Sequence, residues 1–143
     1  MEKNINGTKV ISGTHGLVWI NNEKVAEFKS FKAEITTERK DVQLGMSVDS
    51  KIVGLKGEGT LAINKVYTRG KKIFESWKKG KDYRARIVSS VKDPDSFGEE
   101  RVSIDNVWFN KLSLANLAKG EVIEEEIPFG FTPSDADYEN AIG

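Results

Sequence analysis

Between Phe31 and Lys40 the chain alternates without a break. Phe31, Ala33, Ile35 and Thr37 fall on one side, and Lys32, Glu34, Thr36, Glu38 and Lys40 on the other. A period of two is that of an extended strand, and one apolar row beside one charged row describes an antiparallel strand with one face buried. The same period returns along the chain. Leu17–Ile20, then Asn21-Asn22, then Val25 onward reads as a hairpin, because Asn tolerates the positive φ of a tight turn. The stretch 59–66 places Leu61 and Ile63 on one face. From 83 to 91, Tyr83, Ala85, Ile87 and Val91 point inward, with Arg84, Arg86 and Lys92 outward. Val102, Ile104 and Trp108 mark a further strand whose apolar face Asn106 interrupts. Ile123, Ile127, Phe129 and Phe131 share one face of the last strand, with Glu125 among them. Pro128 has no N–H to give to a ladder, so that strand is expected near an edge or at a bulge. Only one segment favours a helix. From Arg69 to Lys79, Ile73, Phe74 and Trp77 form a narrow apolar stripe, and Gly80 is a natural stop.

Seven or eight strands and one helix in 143 residues predict a single, mainly β domain spanning 1–143. The expected form is two packed antiparallel sheets or a barrel-like sandwich with one flanking α-helix. Three segments fall outside the strand pattern. Residues 1–12 read as an N-terminal arm, and 133–143 as a flexible, acidic C-terminal tail. Residues 42–57 read as a long irregular loop, yet they carry Leu44, Met46, Val48, Ile52 and Val53, which a merely solvated loop does not need. Leu112, Leu114 and Leu117 follow one another at mixed spacing.

The chain has no cysteine and one histidine, His15. That leaves no thiol nucleophile, no Cys–His pair and no multi-His metal set. His15 lies in a Ser-Gly-Thr-His-Gly turn without a nucleophile-elbow pattern. Gly57-Glu-Gly lacks the Lys-Ser/Thr ending of a phosphate loop. The run from Asp93 to Gly98 is turn chemistry rather than a calcium loop. Trp19, Trp77 and Trp108 are expected in the core more than in a ligand pocket. No apolar run approaches a membrane span, and the N-terminus lacks a signal-peptide core. Composition therefore points towards binding or assembly rather than chemistry, with no Cys or multi-His metal set and no membrane span. Net charge is zero, which gives no whole-protein case for nucleic acid. The charge is segregated, however. Residues 65–86 carry nine basic residues against Glu75 and Asp82, and residues 93–126 carry nine acidic ones against Arg101, Lys111 and Lys119. Such a chain either has two solvated faces or contacts copies of itself head to tail.

Five stretches taken in order resemble a known family. They are ISGTHGLVWINNEKVAE (11–27), FKAEI (31–35), the run from Gly45-Met to GLKGEGTL (54–61), DPDSFGEER (93–101) and IPFGFT (127–132). Together they are similar to the tail-tube (core) proteins of contractile phage tails, of the kind found in PBSX-like defective prophages and R-type bacteriocins, over about residues 10–132. His15 and the residues after Pro133 lie outside the resemblance. The resemblance implies a barrel-like subunit that forms six-membered rings, stacked into a hollow tube inside a sheath. It implies further tail partners, baseplate and tail-terminator proteins, and neither catalytic residues nor cofactor. Assembly would take place in the host bacterial cytoplasm before the subunit joins a virion or phage-like particle. On this basis the 42–57 segment corresponds to the loop that grips neighbouring subunits. Leu44, Met46, Val48, Asp49, Lys51, Ile52 and Val53 are its expected contacts, ordered on assembly. Lys71, Lys72, Lys78 and Lys79 on the basic helix are expected to face the sheath. Glu124 and Glu126 are expected on the lumen wall, where negative charge repels DNA and lets it slide. The alternatives are a small-ligand-binding β-barrel, or another phage structural component such as a baseplate or head-completion protein.

Overall fold

A computed structural model describes residues 5–143, so the first four residues of the expected 1–12 arm lie outside it. The strands are β1 (Gly16–Ile20), β2 (Glu23–Lys24), β3 (Phe28–Leu44), β4 (Ser47–Asn64), β5 (Arg84–Val91), β6 (Glu100–Phe109), β7 (Glu124–Phe131) and β8 (Ala136–Asn140). One helix, α1 (Lys71–Lys78), lies between β4 and β5, two residues shorter at its start than the spacing predicts. The strands form one antiparallel sheet in the order β2-β1-β5-β6-β7-β4-β3, with β8 added to β6. Val18 of β1, Leu61 of β4, Ile104 of β6 and Phe129 of β7 meet in one core. Strands far apart in the sheet order thus share an interior, which gives the barrel-like form of the expected architecture.

Local chemistry accounts for the turns. Asn21 and Asn22 take positive φ of 49° and 68° and join β1 to β2. Gly80, at φ 74°, ends α1 through its N–H to the Trp77 carbonyl. Ile73 enters the core and Trp77 packs against it. Gly59 lets β4 pass close to its neighbours: a Cβ there would meet the Lys32 carbonyl at 2.2 Å and the Phe129 ring at 2.5 Å.

Several expectations need correction. Residues 42–57 are not an irregular loop. They are the outer half of a hairpin in which β3 and β4 pair from Phe28↔Ile63 to Leu44↔Ser47, turning at Gly45-Met46. Residues 133–143 are not a free tail, because β8 pairs with β6 from Arg101↔Asn140 to Ile104↔Ala136. Glu139 binds Arg86 at 2.9 Å and Arg101 at 3.0 Å, and Asn140 donates to Glu99 at 2.7 Å, so polar contacts dock this strand. β7 is an interior strand. Pro128 lies where its ladder with β6 stops, and its carbonyl accepts from the Asn110 N–H. Trp108 does not point inward. Asn106, at φ 54°, adds a residue to β6 opposite Ala85–Ile87, which reverses the facing and buries Val107 and Phe109 instead.

Candidate assembly interface

Beyond Gly57↔Phe131 the β4–β7 ladder ends, and residues 47–56 have only β3 beside them. The hairpin therefore stands clear of the body for roughly 30 Å at ~3.3 Å per residue. Directly paired residues share a face. The inward face runs from Phe31↔Leu61 through Ile35↔Gly57 and Thr37↔Leu55. Val53 is then an extra residue on β4, since Glu38↔Gly54 is followed by Arg39↔Ile52. That bulge keeps Ile52 and Val48 in phase with Leu55. Ile35, Leu55, Ile52 and Val48 thus extend the core face outward as an apolar row, each about half exposed.

The structure divides the seven expected contact residues. Val48 and Ile52 lie on this apolar face and Met46 at the apex. Leu44, Asp49 and Lys51 lie on the opposite face, paired with Ser47, Val42 and Lys40, and Val53 is the bulge. Ile35, outside the 42–57 segment, and Leu55, inside it but not among the seven, belong on the same face. Their alternation was visible, and the end of the core was not.

Lys71, Lys72, Lys78 and Lys79 are all exposed on or beside α1, and the Lys78 ammonium lies 4.8 Å from the centre of the Phe74 ring. Glu124 and Glu126 are exposed at the start of β7, and Glu124 pairs with Lys29 at 2.7 Å. Between them Glu125 turns inward and is buried against Lys65 at 3.0 Å, which explains a carboxylate in an apolar row.

The groups with catalytic potential are engaged in the fold. Asp93 is buried and accepts from the Asp95 and Ser12 N–H groups at 2.9 and 3.0 Å. Those two backbone donors hold its carboxyl below the usual range. His15 lies 3.9 Å away, on a 3₁₀ turn beside Ser12, whose Oγ accepts from Thr14 N–H at 3.3 Å. This cluster ties the N-terminal arm to the 93–98 turn. Among the described residues no three His, Cys, Asp or Glu side chains gather as a metal set. Trp77 packs on the core, while the Trp19 and Trp108 rings lie under the guanidinium groups of Arg101 and Arg84. The three do not converge on one cavity. A cleft of about 510 Å³ between the β1–β2 turn and α1 is lined by Asn21, Lys24, Tyr67, Arg69 and Tyr83 among others.

Two more apolar groups escaped sequence reasoning. Val66 and Tyr67 follow β4, and Leu114, Leu117 and Val122 lie between β6 and β7; all five are exposed. The mixed spacing of Leu114 and Leu117 was their one signal.

A family model described as "Phage tail tube protein" matches residues 3–139. The chain belongs to the phage tail tube protein family. It is a structural protein of a phage or phage-like tail. The phage-like element PBSX protein XkdM of Bacillus subtilis (strain 168) is 30% identical over 130 residues, covering 87% of this chain and 88% of that one. An uncharacterized protein of the same strain, YqbM, is 31% identical over 130 residues with the same coverage. Two solved structures share the fold. One is the tube-terminating cap of the anti-feeding prophage, with a TM-score of 0.68 and 14% identity over 97% of each chain. The other comes from the sheath–tube complex of an extracellular contractile injection system, with a TM-score of 0.68 and 13% identity over 92% of each chain.

Proposed function

We propose that this chain is the repeating subunit of an inner tail tube, assembling into six-membered rings that stack. The observation that carries the reading is the free β3–β4 hairpin, whose apolar row the described residues leave about half exposed. Burying the remainder of Ile35, Leu55, Ile52 and Val48 contributes roughly 1 kcal/mol each. A ring repeats that gain at every subunit. The open edge of β3 is an aggregation liability in a monomer and a joining surface in a ring. The described part of the N-terminal arm, with Ile5, Val10 and Ile11 exposed, is a second contact between subunits.

In this reading the chain is not an enzyme and needs no cofactor. Lys71, Lys72, Lys78 and Lys79 face the sheath, Glu124 and Glu126 line the lumen, and the ends of the tube meet baseplate and terminator proteins. Assembly precedes release, in the host bacterial cytoplasm, and the finished subunit resides in the particle's tail. A terminator role is the second reading, supported by an equal fold similarity to a tube-terminating cap and to a tube-complex chain.

Light scattering and negative-stain imaging across a concentration series, with and without baseplate proteins, separate these readings. A tube subunit gives stacked rings that lengthen with concentration. Single rings that never extend select the terminator. A strict monomer under every condition, including with baseplate proteins, removes both.

A further inference from the structure

We infer that the apex of the β3–β4 hairpin is received by the opposite end of the next copy of this chain, on the apolar surface formed by residues 65–70 and 110–123. The inference rests on the tube reading and names the receiving surface within it.

The two loops form one unit. Lys65 N–H donates to the Ile123 carbonyl at 2.9 Å, and Lys65 Nζ reaches Glu125 at 3.0 Å. Leu112 packs over Gly70 so closely that a Cβ there would meet its Cδ1 at 2.3 Å. On this tied base Val66, Tyr67, Leu114, Leu117 and Val122 remain between 62% and 81% exposed. Apolar side chains carried outward by two adjoining loops, with the core close by, mark a contact surface.

Its position selects the occupant. β4 starts at Ser47 beside the apex and ends at Asn64, which pairs with Glu124 at the edge of the 110–123 loop. The apex and the receiving surface therefore lie at opposite ends of one 18-residue strand, roughly 55 Å apart along it. Two unlike apolar surfaces at opposite ends of one molecule make a heterologous contact, which propagates rather than closing on itself. Charge agrees. Residues 41–50 carry Asp41 and Asp49 and no basic residue, while the 110–123 loop carries Lys111 and Lys119 against Glu121. Apex against apex would bring four carboxylates together; apex against loop pairs opposite signs.

Cross-linking tests this directly, because the full chain has no cysteine of its own. Met46→Cys and Leu117→Cys are placed in one full-length chain, which is assembled and treated with a short bismaleimide. The expected result is a ladder of linked chains on a denaturing gel, one step per stacked copy. Each single-cysteine control stops at a dimer at most. The separation along β4 excludes a link within one chain. A companion variant, Leu117→Lys with Val122→Lys, alters only exposed positions and is expected to keep its melting temperature while losing long tubes. Tubes that give no ladder, with normal length in the companion variant, overturn the receiving surface and leave the tube reading in place. If the unaltered chain forms neither rings nor tubes, even with baseplate proteins, the tube reading falls and this inference falls with it.

Discussion

Glu27 and Arg69 show how a single pair secures the helix to the sheet. Glu27 follows the β1–β2 hairpin, and Arg69 precedes α1. The guanidinium binds the carboxylate through both Nε and Nη2, the latter at 3.0 Å, with both side chains largely buried. Arg69 also lies 5.4 Å from the centre of the Tyr67 ring. Its hydrogen bond holds the Glu27 carboxyl below the ordinary value of 4.5, against the opposing effect of burial. A depressed carboxyl pKa stabilises the fold above the unfolded-state value, and that contribution is lost as pH falls through the folded-state value. Glu27→Gln is therefore expected to lower stability at neutral pH by about 2 kcal/mol, since it leaves Arg69 without its charged partner. The gap to the unaltered chain should narrow as pH falls below about 4.5. Thermal melts of both proteins from pH 7 to pH 3 measure this; a constant gap would mean the pair is not the source. The same scale shows what a sequence conceals. Asn21 and Asn22 announce their turn because two Asn residues follow an apolar run. Asn106 takes the same positive φ inside a strand, and there the asparagine gives no sign that it flips Trp108 outward and Phe109 inward.

The β3–β4 hairpin is supported by the rest of the molecule along only half of its length. Its inner half rests on the core through Phe31, Leu61 and Ile63, and its outer half has only its own ladder. An isolated two-stranded ribbon is marginal in water. In the unassembled chain, amides of residues 40–51 are accordingly expected to exchange with solvent at least ~10-fold faster than those of residues 57–63. Assembly should remove most of that difference. Hydrogen exchange followed by mass spectrometry on peptides from both halves reads it, and equal protection in the monomer would show that the hairpin needs no partner. This fragility also explains why the segment is hard to read from sequence. Alternation reveals a strand when one face enters a core. Where the core ends, both faces meet water, Val53 breaks the phase, and only irregularity remains. β8 was missed for a related reason. Its residues are mostly polar, and beside Ala136, which packs on the core, what places it is a set of distant partners, Arg86, Glu99 and Arg101, that no local pattern announces. The hairpin at Asn21-Asn22, the helix stripe and the inward rows of β5 and β7 were legible because turn chemistry or core burial is written locally.

At the scale of the whole molecule the segregated charge resolves into two parts. Four of the nine basic residues between 65 and 86 are neutralised within the chain: Lys65 by Glu125, Arg69 by Glu27, Arg84 by Asp82, and Arg86 by Asp105 and Glu139. Lys71, Lys72, Lys78, Lys79 and Lys81 are in no ion pair among the described residues, and all five sit on α1 or just after it. The basic character of the stretch is thus concentrated on one exposed helix face. Residues 65–70 of the receiving surface lead directly into α1, but the four lysines are not among its apolar side chains, so subunit stacking and the contact made by those lysines are expected to be independent. Reversing Lys71, Lys72, Lys78 and Lys79 to Glu removes four positive charges and adds four negative ones at positions outside the core. The variant is expected to fold, to stack into tubes of unchanged diameter, and to lose uptake of the sheath protein. Exposed ion pairs are screened by salt. The unaltered tube should therefore also bind sheath less well as ionic strength rises, while stacking through the hairpin apex and the apolar side chains of residues 65–70 and 110–123 holds. Co-sedimentation of sheath with preformed tubes, at low and high salt, measures both effects. Normal sheath uptake by the reversed variant would place the sheath contact elsewhere. A failure of that variant to stack would show that α1 belongs to the tube interface itself.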